Sequence, residues 1–164
     1  MGGHPYWYVV PYESDIDAAL QKLKQREFEA GRYNPVISFL EFPIGPDSPA
    51  PGRQHASIDD ALAGTDADGT RSILDTVRGV LPNPYNTDQD LSGMDVPIAG
   101  VSPLAEPDLV ELFGSARPSR ETVEREIAES PAFWERLMRG TAVYVVLHAD
   151  SEPREIFFAG ISFD

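Results

Sequence analysis

The chain contains no cysteine, which excludes disulfides, thiolate nucleophiles and cysteine-ligated zinc together. Nowhere do about eighteen apolar residues run together, so no segment reads as a membrane-spanning helix. The opening Met1-Gly2-Gly3-His4-Pro5 lacks the basic and apolar regions of a secretion signal. These absences lead us to expect a soluble, cytoplasmic protein. Positive charge is also scarce: 13 Lys and Arg stand against 27 Asp and Glu, a net charge of −14. A field of that sign repels phosphate backbones and anionic membranes, so neither nucleic acid nor a membrane is an expected partner. Histidine is limited to His4, His55 and His148, none spaced as metal motifs require. Glycine-rich phosphate loops and the Gly-x-Ser-x-Gly elbow are missing as well. No metal and no cofactor are expected.

What is present is an ordinary globular composition, 41% apolar and 24% charged, in 164 residues. That length suits one domain spanning residues 1–164, able to bury about 70% of its unfolded surface. Tyr6 to Val10 has the β-branched and aromatic make-up of a strand ended by Pro11. Ser14 to Ala30 follows as an amphipathic helix with Ser14 as N-cap, closed by Gly31 and by Pro35. Ser57 caps a short helix ending at Gly64, and 72–77 reads as another. Helices are also expected over 107–113, from Ser119, and from Pro131 to Gly140. The chain closes with an antiparallel hairpin: Thr141 to His148, a turn at 149–154, then Glu155 to Phe163. Long Pro-rich loops are expected at about 43–56 and 79–107, the second anchored by Tyr85, Leu91, Met94 and Ile98. The class is therefore α+β, with a small, mainly antiparallel sheet built from the N-terminal strand and the C-terminal hairpin. Residues 36–42 are a candidate fourth strand, and helices pack on the sheet.

The charge is uneven. Residues 57–115 carry 2 Lys/Arg against 11 Asp/Glu, or −9, while 1–56 and 116–164 carry −2 and −3. The acidic middle suggests a protein-binding module that docks on a basic protein, as inhibitor, immunity and antitoxin-type proteins do. Asp59, Asp60, Asp66 and Asp68 are the expected contact residues, within a carboxylate patch running from Asp59 to Glu111. The oligomeric state is left open by the sequence.

Asp66-Ala67-Asp68-Gly69-Thr70 matches the short Asp-x-Asp-Gly-Thr signature of haloacid-dehalogenase-like phosphatases. That signature must follow a buried strand, and here it follows Ala61-Leu62-Ala63-Gly64-Thr65, so the match is not adopted. Numbered as a calcium loop, the segment places Arg71 where glycine is needed and Val77 where glutamate is needed.

One position breaks the helical pattern. Ile16, Ala19, Leu20, Leu23 and Ala30 share a stripe, and Glu27 falls inside it. A carboxylate there must be paired, hydrogen-bonded or protonated. The structural reading is a salt bridge from Glu27 to an arginine, Arg32 or Arg71, tying the helix to the loop behind it. The alternative is a small cysteine-free enzyme with a pocket at the end of this helix. In it Glu27 is a general base, Arg32 or Arg71 an anion clamp, and Tyr33 and His55 further site residues.

Overall fold

The structure, a computed structural model, describes residues 3–38, 41–45, 47–85 and 99–163. It is α+β. In chain order the elements are β1 Pro5–Pro11, α1 Ile16–Ala30, α2 Ile58–Ala63, β2 Val101–Pro103, α3 Glu106–Phe113, α4 Arg120–Glu129, α5 Ala132–Glu135, β3 Ala142–Ala149 and β4 Glu152–Ile161. A 3-10 turn, Ile73–Asp75, lies between α2 and β2.

One sheet runs in the order β1-β4-β3-β2. The hairpin β3–β4 is antiparallel, and β1 adds antiparallel to β4 with Pro5 opposite Ile161 and Pro11 opposite Glu155. The fourth strand is not 36–42, whose described residues are turn and irregular backbone. It is β2, paired parallel to β3. Three residues carry too little pattern to be read as a strand, and their pairing is decided by the long-range partner.

Alternation along the strands divides the sheet into two covered faces. Tyr6, Tyr8 and Val10 of β1 join Ile156 and Phe158 of β4 beneath Leu20 and Leu23 of α1. Val143, Val145 and Leu147 of β3 join Phe157 and Ala159 beneath Phe113, Val123 and Phe133, from α3, α4 and α5. The apolar runs of β3 and β4 follow from this double covering. A smaller cluster of Phe28, Tyr33, Ala61 and Leu74 joins the end of α1 to α2.

Local signals set most boundaries, with four corrections. The N-cap of α1 is Asp15 rather than Ser14, its carboxylate accepting from the Ala18 amide at 3.0 Å. The expected helix over 72–77 is only the 3-10 turn, and the one from Pro131 to Gly140 forms only Ala132–Glu135. The hairpin turns through Asp150 and Ser151 alone, both at positive φ, a tighter connection than the expected 149–154. Of the expected loop anchors, Tyr85 is buried and donates its hydroxyl to the Arg136 carbonyl; Leu91, Met94 and Ile98 lie outside the described residues. Among those residues, no helix is long and apolar enough to cross a membrane.

Candidate functional site

Glu27 stands in the last turn of α1, and its side chain is 1% exposed. Gly31 takes the left-handed conformation after α1, φ 73°, which turns the chain back over the helix end. The turn delivers Arg32 to the carboxylate: Arg32 Nε donates to Glu27 Oε2 at 2.6 Å and Nη2 to Oε1 at 2.8 Å. Arg26 Nε adds a bond to Oε1 at 3.0 Å. Glu27 is thus held in a bidentate, charge-assisted pair, the arrangement a buried carboxylate requires. The bond to Glu27 raises the Arg32 pKa above its already high value. Tyr8, next to this pair, is likewise pushed up, by burial first and by the Glu27 charge second.

A cleft of about 290 Å³ opens beside the pair. It is lined by Trp7, Tyr8 and Val9 of the edge strand β1, by Arg26, Glu27 and Arg32 at the end of α1, by Gly45, and by Arg120 of α4. The other candidates sit elsewhere, since the described residues lining the cleft do not include Tyr33, His55 or Arg71. The Tyr33 hydroxyl shares a hydrogen bond with His55 Nδ1 at 2.8 Å, and its ring stacks on Phe28. Arg71 donates from Nη2 to Asp68 at 2.9 Å and lays its guanidinium over the Phe42 ring. The five residues of the alternative reading therefore divide into Glu27 with Arg32, Tyr33 with His55, and Arg71 with Asp68. A general base needs a lone pair open to substrate, and both oxygens of Glu27 are occupied by guanidinium groups.

The four aspartates lie on α2 and the turn that follows it. Ser57 caps α2 by accepting from the Asp60 amide at 3.1 Å, and Asp59 and Asp60 are exposed in its first turn. Asp66 is exposed, its Oδ1 accepting from the Asp68 amide at 3.0 Å. Among the described residues Asp59, Asp60 and Asp66 form no salt bridge, whereas Asp68 is paired with Arg71. Asp66 follows a helix and an irregular turn, so the phosphatase-like motif does not cap a strand here. Among the described residues, no group of three or more His, Asp or Glu side chains gathers in a metal-binding arrangement.

The acidic segment is not exposed throughout. Asp75 and Asp108 are buried, at 8% and 2% exposure, which removes both from the expected patch; Asp88, Asp90 and Asp95 lie outside the described residues. Asp75 organises a polar knot that the sequence reading did not identify. Its carboxylate accepts from the Thr70 amide and hydroxyl, both at 2.7 Å, and from the Arg71 amide at 3.1 Å. Burial pushes the Asp75 pKa up, against the opposing effect of these donors. Beside it, buried Lys24 donates to the Thr76 carbonyl at 3.2 Å and is pushed down by desolvation. The only sequence signal for the knot was the run of small hydroxyl residues around the aspartate, which reads equally well as a loop.

Comparison with protein-family models, with curated proteins and with solved structures finds no match for this chain. The functional reading rests on the residues themselves.

Proposed function

We propose that this protein is a binding module that docks on a basic protein partner through the carboxylates of α2 and the turn after it, in the manner of inhibitor, immunity or antitoxin-type proteins. The observation that carries the reading is the exposure of Asp59, Asp60 and Asp66, none of which forms a salt bridge among the described residues, on a chain of net charge −14. Such a surface steers a basic partner and sets its register. The segment is tied down at both ends, by the Ser57 cap and by the Thr70–Asp75 bonds, so little ordering entropy is lost on docking. The engagement of both Glu27 oxygens weighs against the enzyme alternative.

The test is capture of partners from the native host by the wild type and by the D59N/D60N/D66N/D68N variant, at low and high salt. A basic protein held by the wild type, released by salt and lost with the variant supports the reading. The same protein held equally by the variant refutes it.

A further inference from the structure

The cleft beside Glu27 has a chemistry opposite to that of the molecule as a whole. Of only 13 Lys and Arg in the chain, Arg26, Arg32 and Arg120 line it together. Each guanidinium is braced by carboxylates while keeping donors to spare. Arg26 uses Nε alone, toward Glu27. Arg32 uses Nε and Nη2 on Glu27. Arg120 uses Nε on Glu124 and Nη1 on Glu155, both at 2.8 Å. Among the described residues, Arg26 Nη1 and Nη2, Arg32 Nη1 and Arg120 Nη2 have no acceptor. A guanidinium already oriented by one carboxylate loses less freedom when it binds another. Trp7 and Val9 add apolar surface to the lining of the same cleft.

We infer that this cleft is a binding site for a small organic carboxylate. The anionic head accepts from the Arg26 fork and from Arg120, and the apolar part lies against Trp7. The paired terminal N–H groups of Arg26 match the planar, two-oxygen geometry of a carboxylate. The charges of the three arginines are offset by the carboxylates bonded to them, Glu27, Glu124 and Glu155, which favours a single negative charge over the double charge of a phosphate on so acidic a chain. The volume, about 290 Å³, belongs to the small end of ligand sites, ~300–1,000 Å³. This site is separate from the aspartates of the docking reading, and either can fail without the other.

The experiment is a titration of the uniformly nitrogen-15-labelled protein with sodium benzoate, followed through the Nε–H signals of Arg26 and Arg120 and the Trp7 indole N–H. Benzamide, inorganic phosphate and sodium chloride at matched ionic strength are run alongside. The expected result is a saturable shift at these three groups with benzoate. Benzamide should bind at least about ten-fold more weakly, and R26Q and R120Q should each weaken benzoate by about ten-fold, the scale of one charge-assisted hydrogen bond. Both arginines are half-exposed, at 48%, and unchanged amide signals away from the cleft verify that the variants fold. The site is refuted if sodium chloride reproduces the shifts, if benzamide binds as well as benzoate, or if neither variant alters the affinity. Tighter binding of phosphate than of benzoate overturns the assignment to a carboxylate.

Discussion

Arg32 holds both carboxylate oxygens of Glu27, Nε on Oε2 at 2.6 Å and Nη2 on Oε1 at 2.8 Å, and so fastens the chain leaving α1 onto the last turn of that helix. The Arg32 amide strengthens the closure by donating to the Glu27 carbonyl at 3.1 Å. The buried charge makes the pair asymmetric to mutation. Arg32→Ala leaves Glu27 with the half-exposed Arg26 alone and should cost about 3 kcal/mol in urea unfolding. Replacing both partners together, Glu27→Leu with Arg32→Met, should recover most of that loss, because no desolvated charge is left behind. A double variant as unstable as Arg32→Ala would mean that the pair contributes net stability rather than only completing itself.

Asp75 should give the protein a pH dependence of the less common sign. Burial raises its folded-state pKa above the ordinary carboxylate value, so between the two values the native state binds more protons than the unfolded chain. Stability then falls as pH rises through that window and levels off above the raised pKa. Asp75→Asn removes the titration. Its own stability is expected to be lower, because an amide nitrogen would meet one of the N–H donors around this carboxylate. The decisive quantity is the wild-type minus variant difference in unfolding free energy, which should decline with rising pH across the window. A difference that rises instead would show that the donors from Thr70 and Arg71 outweigh burial.

Gly31 should tolerate no side chain. Its φ is 73°, and a Cβ placed there would lie 2.2 Å from the Gly52 carbonyl oxygen. Left-handed backbone costs a non-glycine residue about 1–2 kcal/mol, and displacing Gly52 adds to that. Gly31→Ala should therefore lose about 2 kcal/mol or more, read as a lowered Tm and denaturant midpoint. A loss no greater than that of an exposed surface alanine would show that Gly52 moves away freely.

The β3–β4 turn offers a gain. Asp150 and Ser151 have φ values of 52° and 63°, the left-handed pair of a two-residue hairpin turn normally met by Asn-Gly. D150N/S151G should raise stability by about 1 kcal/mol, measured by thermal unfolding. An unchanged or lowered Tm would mean that glycine's extra freedom in the unfolded chain cancels the relief.

Much of the fold is legible because it rests on neighbours in sequence. The end of α1 at Gly31, the Ser57 and Ser119 caps and the edge strand ending at Pro11 are each decided within a few residues. So is the burial of Glu27, which follows from helical spacing alone. The helix expected from Pro131 to Gly140 failed where periodicity continued but the backbone did not: Arg136 to Gly140 lead into β3, whose pairing with β4 takes precedence over local helical preference. The candidate site was legible only in part. That Glu27 needed a cation was clear, and Arg32 and Arg71 were the candidates; that Arg32 supplies it together with Arg26, with Tyr33 engaged by His55 and Arg71 by Asp68, was not.

The sequence by itself determined the α+β class, the terminal strands and hairpin, the main helices, the strong negative charge and the position of one carboxylate inside an apolar stripe. Capping, periodicity and composition act over a few residues or over the chain as a whole, and both scales can be read without a fold. Tertiary structure alone decided the parallel pairing of β2 and the inward turn of Asp75 and Asp108. It alone brought Arg26 and Arg32, from the end of α1, to the same cleft as Arg120 of α4. These depend on which distant segments meet, and a carboxylate or guanidinium has no fixed role until its partners and its exposure to water are set by that meeting.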